Sequence, residues 1–448
     1  SLGEADMLRR AMGKKIKAEM DAQRDRFVDG AVKQGLTKEH ANSIFDMLAK
    51  FADYGFNKSH AAAYALVAYQ TAYLKANYPV EFLAASMTLD MGNTDKLNDF
   101  RREAMRLGIT VELPSVNRSG AVFDVEQGRI LYSLAAVKGV GSQAVEHLVE
   151  SRAGRPFRDL SDFAARINPR ILNKRTLESL ICAGALDGLN SNRARVIAGL
   201  DRIMAMGNRV VEGAAIGQND FFGAGGGGQG ETLILPDVDP WMPSEQLQRE
   251  HAVVGFYLSA HPLDEYAPIL KRLRVQSWAE FSEAVRHGAV AGRLAGTVTS
   301  RQERKTRTGN RMGIVQFSDS TGQFEAILFS EALNEFRDRL EPGNSVIVQV
   351  GAEDRPEGIG VRIVTVKPLD QMTTGIKQLR VFLRGEEPLQ SIERQLPKGR
   401  GDGDVSLVLM LDKGQREVEV QLPGRYQLSP QIASALRAVN GVVQVELV

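Results

Sequence analysis

Between Ala61 and Leu74 the chain carries no charged side chain, and this run constrains the fold more than any other stretch. Ala63, Leu66, Val67, Gln70 and Leu74 recur at helical spacing, and alanines fill most of the gaps. Asn57 or Ser59 can cap the start, after a glycine-containing turn at Tyr54, Gly55 and Phe56, and Pro79 stops the helix just beyond Asn77. The predicted helix over 59–77 has roughly 19 residues and a length of about 28 Å. Its ends are too polar, and its apolar run too short, to cross a bilayer. Free backbone N–H groups and the positive end of the helix dipole lie beside Asn57, Lys58 and His60, which suits phosphate oxygens. A buried helix with an ordinary polar cap accounts for these residues equally well.

A second stretch favours the phosphate reading. Residues 1–15, SLGEADMLRRAMGKK, read as a short helical run with Arg9, Arg10, Lys14 and Lys15 close together. With YGFNKSHAAAYALVAYQ, this run closely resembles the fingers domain of the alpha subunits of bacterial DNA polymerase III, the C-family replicative polymerases. The resemblance continues to the C-terminus. In that family, basic residues of the fingers lie over the incoming nucleotide's triphosphate. The resemblance therefore implies triphosphate or template contacts among Arg9, Arg10, Lys14, Asn57, Lys58 and His60, with the choice among them left open.

A length of 448 residues suits three to four domains. With 56 basic and 55 acidic side chains the net charge is +1, so nucleic-acid binding has to come from local patches. A single cysteine, Cys182, excludes internal disulfides and fits a reducing cytoplasm. No signal peptide or membrane span is visible. The chain opens at Ser1 inside a helical pattern without Met, and reads as a piece of something longer.

The expected fold class is multidomain α+β. Residues 1–112 read as helical fingers, with helices over 1–13, 17–34, 38–50, 59–77, 79–90 and 94–107. Residues 113–205 read as a helix-hairpin-helix domain expected to bind duplex DNA and the clamp. It opens with a strand pair turned at Glu126, Gln127 and Gly128. The signature itself is LAAVKGVGSQAV, where Gly139, Val140, Gly141 and Ser142 form the hairpin with Lys138 alongside. Two glycines flanking one apolar residue allow a tight turn and expose N–H groups to one DNA phosphate, without regard to base sequence. A weaker second copy, LICAGALDG, leads into a helix with Arg193 and Arg195; a helix C-cap at Gly184 explains it equally well.

Residues 206–245 read as a flexible linker, glycine-rich at 223–228 and followed by Pro236, Pro240 and Pro243. Gln218, Asn219, Asp220, Phe221 and Phe222 precede the glycines, and paired phenylalanines there have no obvious core to enter. The pattern is similar to the family's clamp-binding peptide. By that resemblance Gln218 hydrogen-bonds at the rim of the sliding clamp (beta), beside Asp220, while Phe221 and Phe222 fill its pocket. Residues 246–288 read as a helical connector in which His251 and His261, lacking partners at ligand spacing, are structural.

Residues 289–368 alternate like an OB-fold, with strands near 290–300, 312–319, 323–329, 345–353 and 360–366 and a helix over 331–340. The first loop, 301–311, holds five basic residues, Arg301, Arg304, Lys305, Arg307 and Arg311, and one acid. Such loops bind single strands, and Phe317, Phe324 or Phe329 stack bases if they face outward; barrel core is the commoner fate. Residues 369–448 read as a small C-terminal α/β domain, with strands over 378–384, 405–412, 416–421 and 442–447, helices over 388–396 and 428–438, and a loop at 399–404. By resemblance alone it docks the tau subunit of the clamp loader.

Nucleotidyl transfer needs carboxylates that hold two metal ions. The Asp-x-Asp pairs, Asp237/Asp239 and Asp402/Asp404, lie in a linker and a glycine turn, so the chain is expected to hold no metal and to be silent alone. The parent polymerase is expected to use Mg2+, primer-template DNA and a dNTP, and to meet its proofreading exonuclease subunit through a part not included here. Alternative readings are a non-catalytic scaffold for DNA and clamp, or a damage-tolerance polymerase paralogue.

Overall fold

A computed structural model describes the chain except for residues 1–2, 4, 9, 11–16, 55–57, 153, 216–231, 306–308, 310, 357, 370, 372–376, 397, 412–415 and 448. It divides into two units, Ser1–Pro79 and Val80–Val448.

The first unit holds α1 (Lys17–Lys33), α2 (Lys38–Tyr54) and α3 (Lys58–Asn77). Phe45 of α2 is buried against Leu8 and Phe27, and Arg24 lies over its ring at 4.8 Å. Helix α3, with its uncharged run from Ala61 to Leu74, is open on every side: Tyr64, Leu66, Val67 and Tyr69 are each more than half exposed. The buried alternative for this helix is therefore not what the structure shows.

In the second unit, α4 (Pro79–Leu89) and α5 (Thr94–Arg106) precede a three-stranded sheet of β1 (Val111–Glu112), β2 (Asp124–Glu126) and β3 (Arg129–Leu131). Glu126 pairs with Arg129 across the two-residue turn Gln127-Gly128, both at positive φ, the conformation a tight hairpin demands. Helices α6 (Ser142–Arg152), α7 (Leu160–Arg166), α8 (Lys174–Cys182), α9 (Arg193–Ala198) and α10 (Leu200–Ala215) follow. Leu83 and Met87 of α4 and Leu97 of α5 enter the same core as Leu134, Leu148, Phe163 and Leu180. The expected fingers segment, 1–112, thus crosses the division at Pro79, because α4 and α5 bury their apolar faces with the hairpin helices.

Residues 232–242 carry no helix or strand and run along that core. Leu233 N–H donates to Ser161 Oγ at 3.0 Å, Asn192 Nδ2 donates to Val238 O at 2.8 Å, and Asp239 accepts from Ser391 and Arg394, each at 2.7 Å. Helices α11 (Pro243–Val254), α12 (Ala267–Arg272) and α13 (Trp278–Arg286) lead to the barrel.

The barrel comprises β4 (Ala291–Lys305), β5 (Arg311–Asp319), β6 (Gly322–Phe329), β7 (Ser345–Arg355) and β8 (Gly358–Pro368), with α14 (Ser330–Phe336) between β6 and β7. It closes in the order β4-β5-β6-β8-β7, the OB-fold arrangement, with β7 antiparallel to β4 and β6 parallel to β8. Alternation puts Phe324, Ala326 and Leu328 inward with Val315, Phe317 and Val348. Gly296 lacks the Cβ that would press at 2.9 Å on the Phe317 side chain.

The last sheet, ordered β11-β10-β9-β12, is built from β9 (Gln378–Leu383), β10 (Lys398–Leu411), β11 (Arg416–Gln421) and β12 (Val442–Leu447), with α15 (Leu389–Gln395) and α16 (Pro430–Arg437). Residues 399–404, expected as a loop, are strand. The reason is close approach: a Cβ at Gly401 would overlap the Tyr426 carbonyl, so glycine lets the strand press against that segment.

Candidate nucleic-acid interface

The hairpin at 138–142 sits on a rigid base. Val137 and Val140 are buried, while Lys138, Gly139, Gly141 and Ser142 face solvent. Gly139 has φ +83, a left-handed conformation that side chains resist, and a Cβ there would lie 3.2 Å from Ser179 Oγ. Val140 N–H closes the turn on Val137 O at 3.1 Å, and Thr176 Oγ1 donates to Gly139 O at 3.3 Å. Lys138 N–H donates to Val253 O at 2.9 Å, which pins the loop to α11. Gly141 O accepts from Ala144 and Val145, so α6 begins here and its first amides have no acceptor within the helix. One exposed ammonium therefore stands beside the start of an 11-residue helix. That is an anion cradle without base-reading groups.

The second hairpin copy resolves as a C-cap. Gly184 N–H donates to Ile181 O at 3.0 Å and Ala185 N–H to Leu180 O at 2.9 Å, a Schellman ending of α8 with Gly184 at φ +87. Arg193, expected on duplex DNA, is corrected here. It is 3% exposed, and its guanidinium donates to Asp187, Glu250 and Cys182 O. A buried cation already held by two carboxylates has no open face for a phosphate.

In the barrel, the basic stretch is a strand hairpin over most of its length, since β4 and β5 pair down to Lys305 and Arg311. Arg304, Lys305 and Arg311 are exposed; Arg307 lies outside the described residues. Arg301 differs from its neighbours: it donates to Arg337 O at 2.6 Å and pairs with Glu341 at 3.0 Å, so it braces the barrel end. Phe317 and Phe324 are buried and stacked 5.1 Å apart, with Trp278 stacked on Phe324 at 4.9 Å. Phe329 alone of the three phenylalanines faces outward, 50% exposed.

Of the fingers candidates, Arg10 pairs with Asp6 at 2.8 Å and His60 is exposed with its ring 5.9 Å from Tyr64. Arg9, Lys14, Asn57 and the side chain of Lys58 lie outside the described residues. So do Gln218, Asp220, Phe221 and Phe222. Among the described residues no cluster of three or more His, Cys, Asp or Glu is arranged to hold a metal. Asp239 is held by Ser391 and Arg394, which lower its pKa, and Asp404 by Arg425 at 2.9 Å. His261 is buried, facing Ser318 Oγ at 3.0 Å, and the ring of Tyr257 lies between it and His251. No described helix is long and apolar enough to cross a membrane.

Sequence reasoning missed the Arg193–Glu250 pair, which only an unusual density of charge near an apolar run could have signalled. It left the outward turn of Phe329 open while favouring barrel core, although the alternation of 324, 326 and 328 points that side chain outward.

Comparison with known proteins gives three matching descriptions. Residues 1–35 match the bacterial DNA polymerase III alpha subunit finger domain, 108–196 a helix-hairpin-helix motif, and 293–369 an OB-fold nucleic acid binding domain. A DNA polymerase III subunit alpha from Caulobacter vibrioides is 44% identical over 451 residues, covering 100% of this chain and 39% of the relative. The Escherichia coli K12 protein of the same name is 36% identical over 459 residues, with the same coverage. That from Thermus aquaticus is 40% identical over 384 residues, covering 85% of this chain and 31% of the relative. The chain thus spans 39% of the length of the first two.

Proposed function

This chain belongs to the family of bacterial DNA polymerase III alpha subunits, and from that premise we propose that it serves template-directed DNA synthesis as the part that holds DNA and partners around a catalytic centre located elsewhere in the polymerase. The observation that carries this reading is the hairpin turn, with Lys138, Gly139, Gly141 and Ser142 exposed over buried Val140. Such a turn grips one backbone phosphate and ignores the bases, as a replicative enzyme requires. The barrel supports it with a second basic element, Arg304, Lys305 and Arg311, for the single-stranded template.

In this reading Arg9, Arg10, Lys14, Asn57, Lys58 and His60 supply the contacts to the incoming dNTP. Gln218, Asp220, Phe221 and Phe222 tether the enzyme to the sliding clamp. The C-terminal sheet docks the tau subunit, and the exonuclease subunit joins through the relatives' remaining length. Tethering raises the effective concentration of the primer terminus without any new catalytic contact, which is the physical basis of processivity. Mg2+ belongs to the whole polymerase and serves nucleotidyl transfer there. The described carboxylates of this chain do not fit it, since Asp239 and Asp404 are engaged by arginines, and no step is routed through them. By itself the chain is inactive, and the polymerase works in the cytoplasm.

The test is binding of the whole chain to a bacterial sliding clamp and, separately, to primer-template DNA, with Gln218→Ala and Phe222→Ala beside it. The expected result is micromolar or tighter clamp binding that either change abolishes, with DNA affinity unaltered. Clamp binding that survives both changes overturns the tether. Failure to bind DNA at all overturns the DNA-holding reading.

A further inference from the structure

The register of the barrel assembles a hollow on its outer face. Residues paired across neighbouring strands present their side chains to the same face. Arg304 of β4 pairs with Met312 of β5, and Met312 with Phe329 of β6. One step along, Gln302, Ile314 and Ile327 form the next row, which continues through Arg362 of β8 to Gly351 of β7. Because Phe324, Ala326 and Leu328 point into the core, both rows face out.

Where β6 meets β8 at the single pair Ile327–Arg362, an open cavity of about 340 Å³ is lined by Phe329, Val290, Ile327, Gly351, Gly360 and Arg362. Gly351 makes the hollow, and Gly360 admits an arginine at its edge. A Cβ on Gly351 would meet only Val290 O at 3.8 Å and Arg362 at 3.9 Å, so its missing side chain is open space. A Cβ on Gly360 would lie 2.8 Å from the Arg355 guanidinium, so that arginine lies close over the bare backbone. Glu353 at the rim is paired with Arg355 at 2.9 Å, exposed Arg362 lines the hollow, and exposed Arg304 stands two strands from Phe329, across Met312.

We propose that this hollow takes one unstacked nucleobase of a single strand, lying on Phe329, with the neighbouring phosphates on Arg362 to one side and Arg304 to the other. The chemistry is that of sequence-tolerant recognition: every base has a π-face for the ring, and the guanidiniums follow the backbone. The inference rests on the reading of the barrel as a single-strand binder. It assigns one base to Phe329 at the β6–β8 seam and leaves the basic hairpin to contact phosphates.

The test uses the whole chain and a primer-template whose single-stranded overhang carries an abasic position, walked one nucleotide at a time. One position is expected at which loss of the base weakens binding at least about fivefold, the lower end for one base–aromatic stack. Phe329→Ala should erase that position dependence and Phe329→Tyr should keep it. Gly351→Val, which fills the hollow at a strand position with ordinary clearance, should also erase it while leaving blunt-duplex binding unchanged. A flat abasic profile in the parent chain, or an unchanged profile in both Phe329→Ala and Gly351→Val, overturns the hollow. A parent chain that binds the overhang no better than blunt duplex overturns the barrel reading itself.

Discussion

Arg193 and Glu250 stand 57 residues apart in the chain and 3.3 Å apart in space, and both side chains are buried. Glu250 also accepts from the Leu258 and Ser259 N–H groups at 3.0 and 2.8 Å, so one carboxylate joins α9, α11 and the connector beyond. Removing the cation strands a fully buried anion, the costly way to break such a pair. Arg193→Met should lower the unfolding free energy by about 3–5 kcal/mol in urea titration. The double variant Arg193→Met/Glu250→Gln should recover part of that loss. Additive losses would show that the two side chains do not act as a pair.

His261 links that connector to the barrel. Its Nδ1 accepts from Leu263 N–H at 3.2 Å, which leaves Nε2 as the donor to Ser318 Oγ. Burial first, then Arg101 and His251, push its pKa down to about 3. The unfolded chain takes up this proton near pH 6.5, so the stabilisation is complete above that pH and erodes as pH falls towards about 3. Between roughly pH 6.5 and 5, before most carboxylates titrate, His261 should contribute a slope of about 1.4 kcal/mol per pH unit. His261→Gln should reduce the measured slope by about that amount, leaving the effect of half-buried His251 and His147, whose pKa values burial also lowers. An undiminished slope would assign the pH dependence to other groups.

In the proposed reading the hairpin contacts phosphate alone, so its loss should not depend on sequence. Lys138→Ala/Ser142→Ala should weaken duplex binding equally for unrelated sequences, and lower the log–log salt slope by about 1. Fluorescence anisotropy over a salt series measures both. A loss confined to one sequence would contradict the cradle.

The basic hairpin of the barrel, proposed to follow the single strand, should carry a separate salt signature. Neutralising Arg304, Lys305 and Arg307 together should flatten the salt slope for single strands by about 2, at about 0.7 per phosphate. Arg301→Ala should leave that slope in place and lower stability, because Arg301 already holds Glu341 and the Arg337 carbonyl. An unchanged slope in the triple variant would mean that the hairpin does not touch the strand.

Much of this fold was legible because the signals are local. Alternation marked five barrel strands with a helix after the third, and that order is what closes as β4-β5-β6-β8-β7. Gly139 and Gly141 marked the turn, and Gly139 takes φ +83 there, a conformation that favours glycine. The strand at 399–404 was hidden because glycines usually break strands; here they admit the Tyr426 backbone, which the chain supplies from a distance. Arg193 looked like a surface cation because its second carboxylate comes from α11, beyond the linker.

By itself, then, the sequence determined the local conformations, the element order and the turn that carries the phosphate cradle. Each depends on periodicity and on backbone freedom within a few residues. Only the tertiary structure decided which charges are spent and which remain. Arg193 and Arg301 went to the carboxylates of Glu250 and Glu341, while Arg304 and Arg362 stayed exposed on the barrel. That division follows from burial and strand register, which bring residues far apart in the chain into contact and turn a given side chain inward or outward.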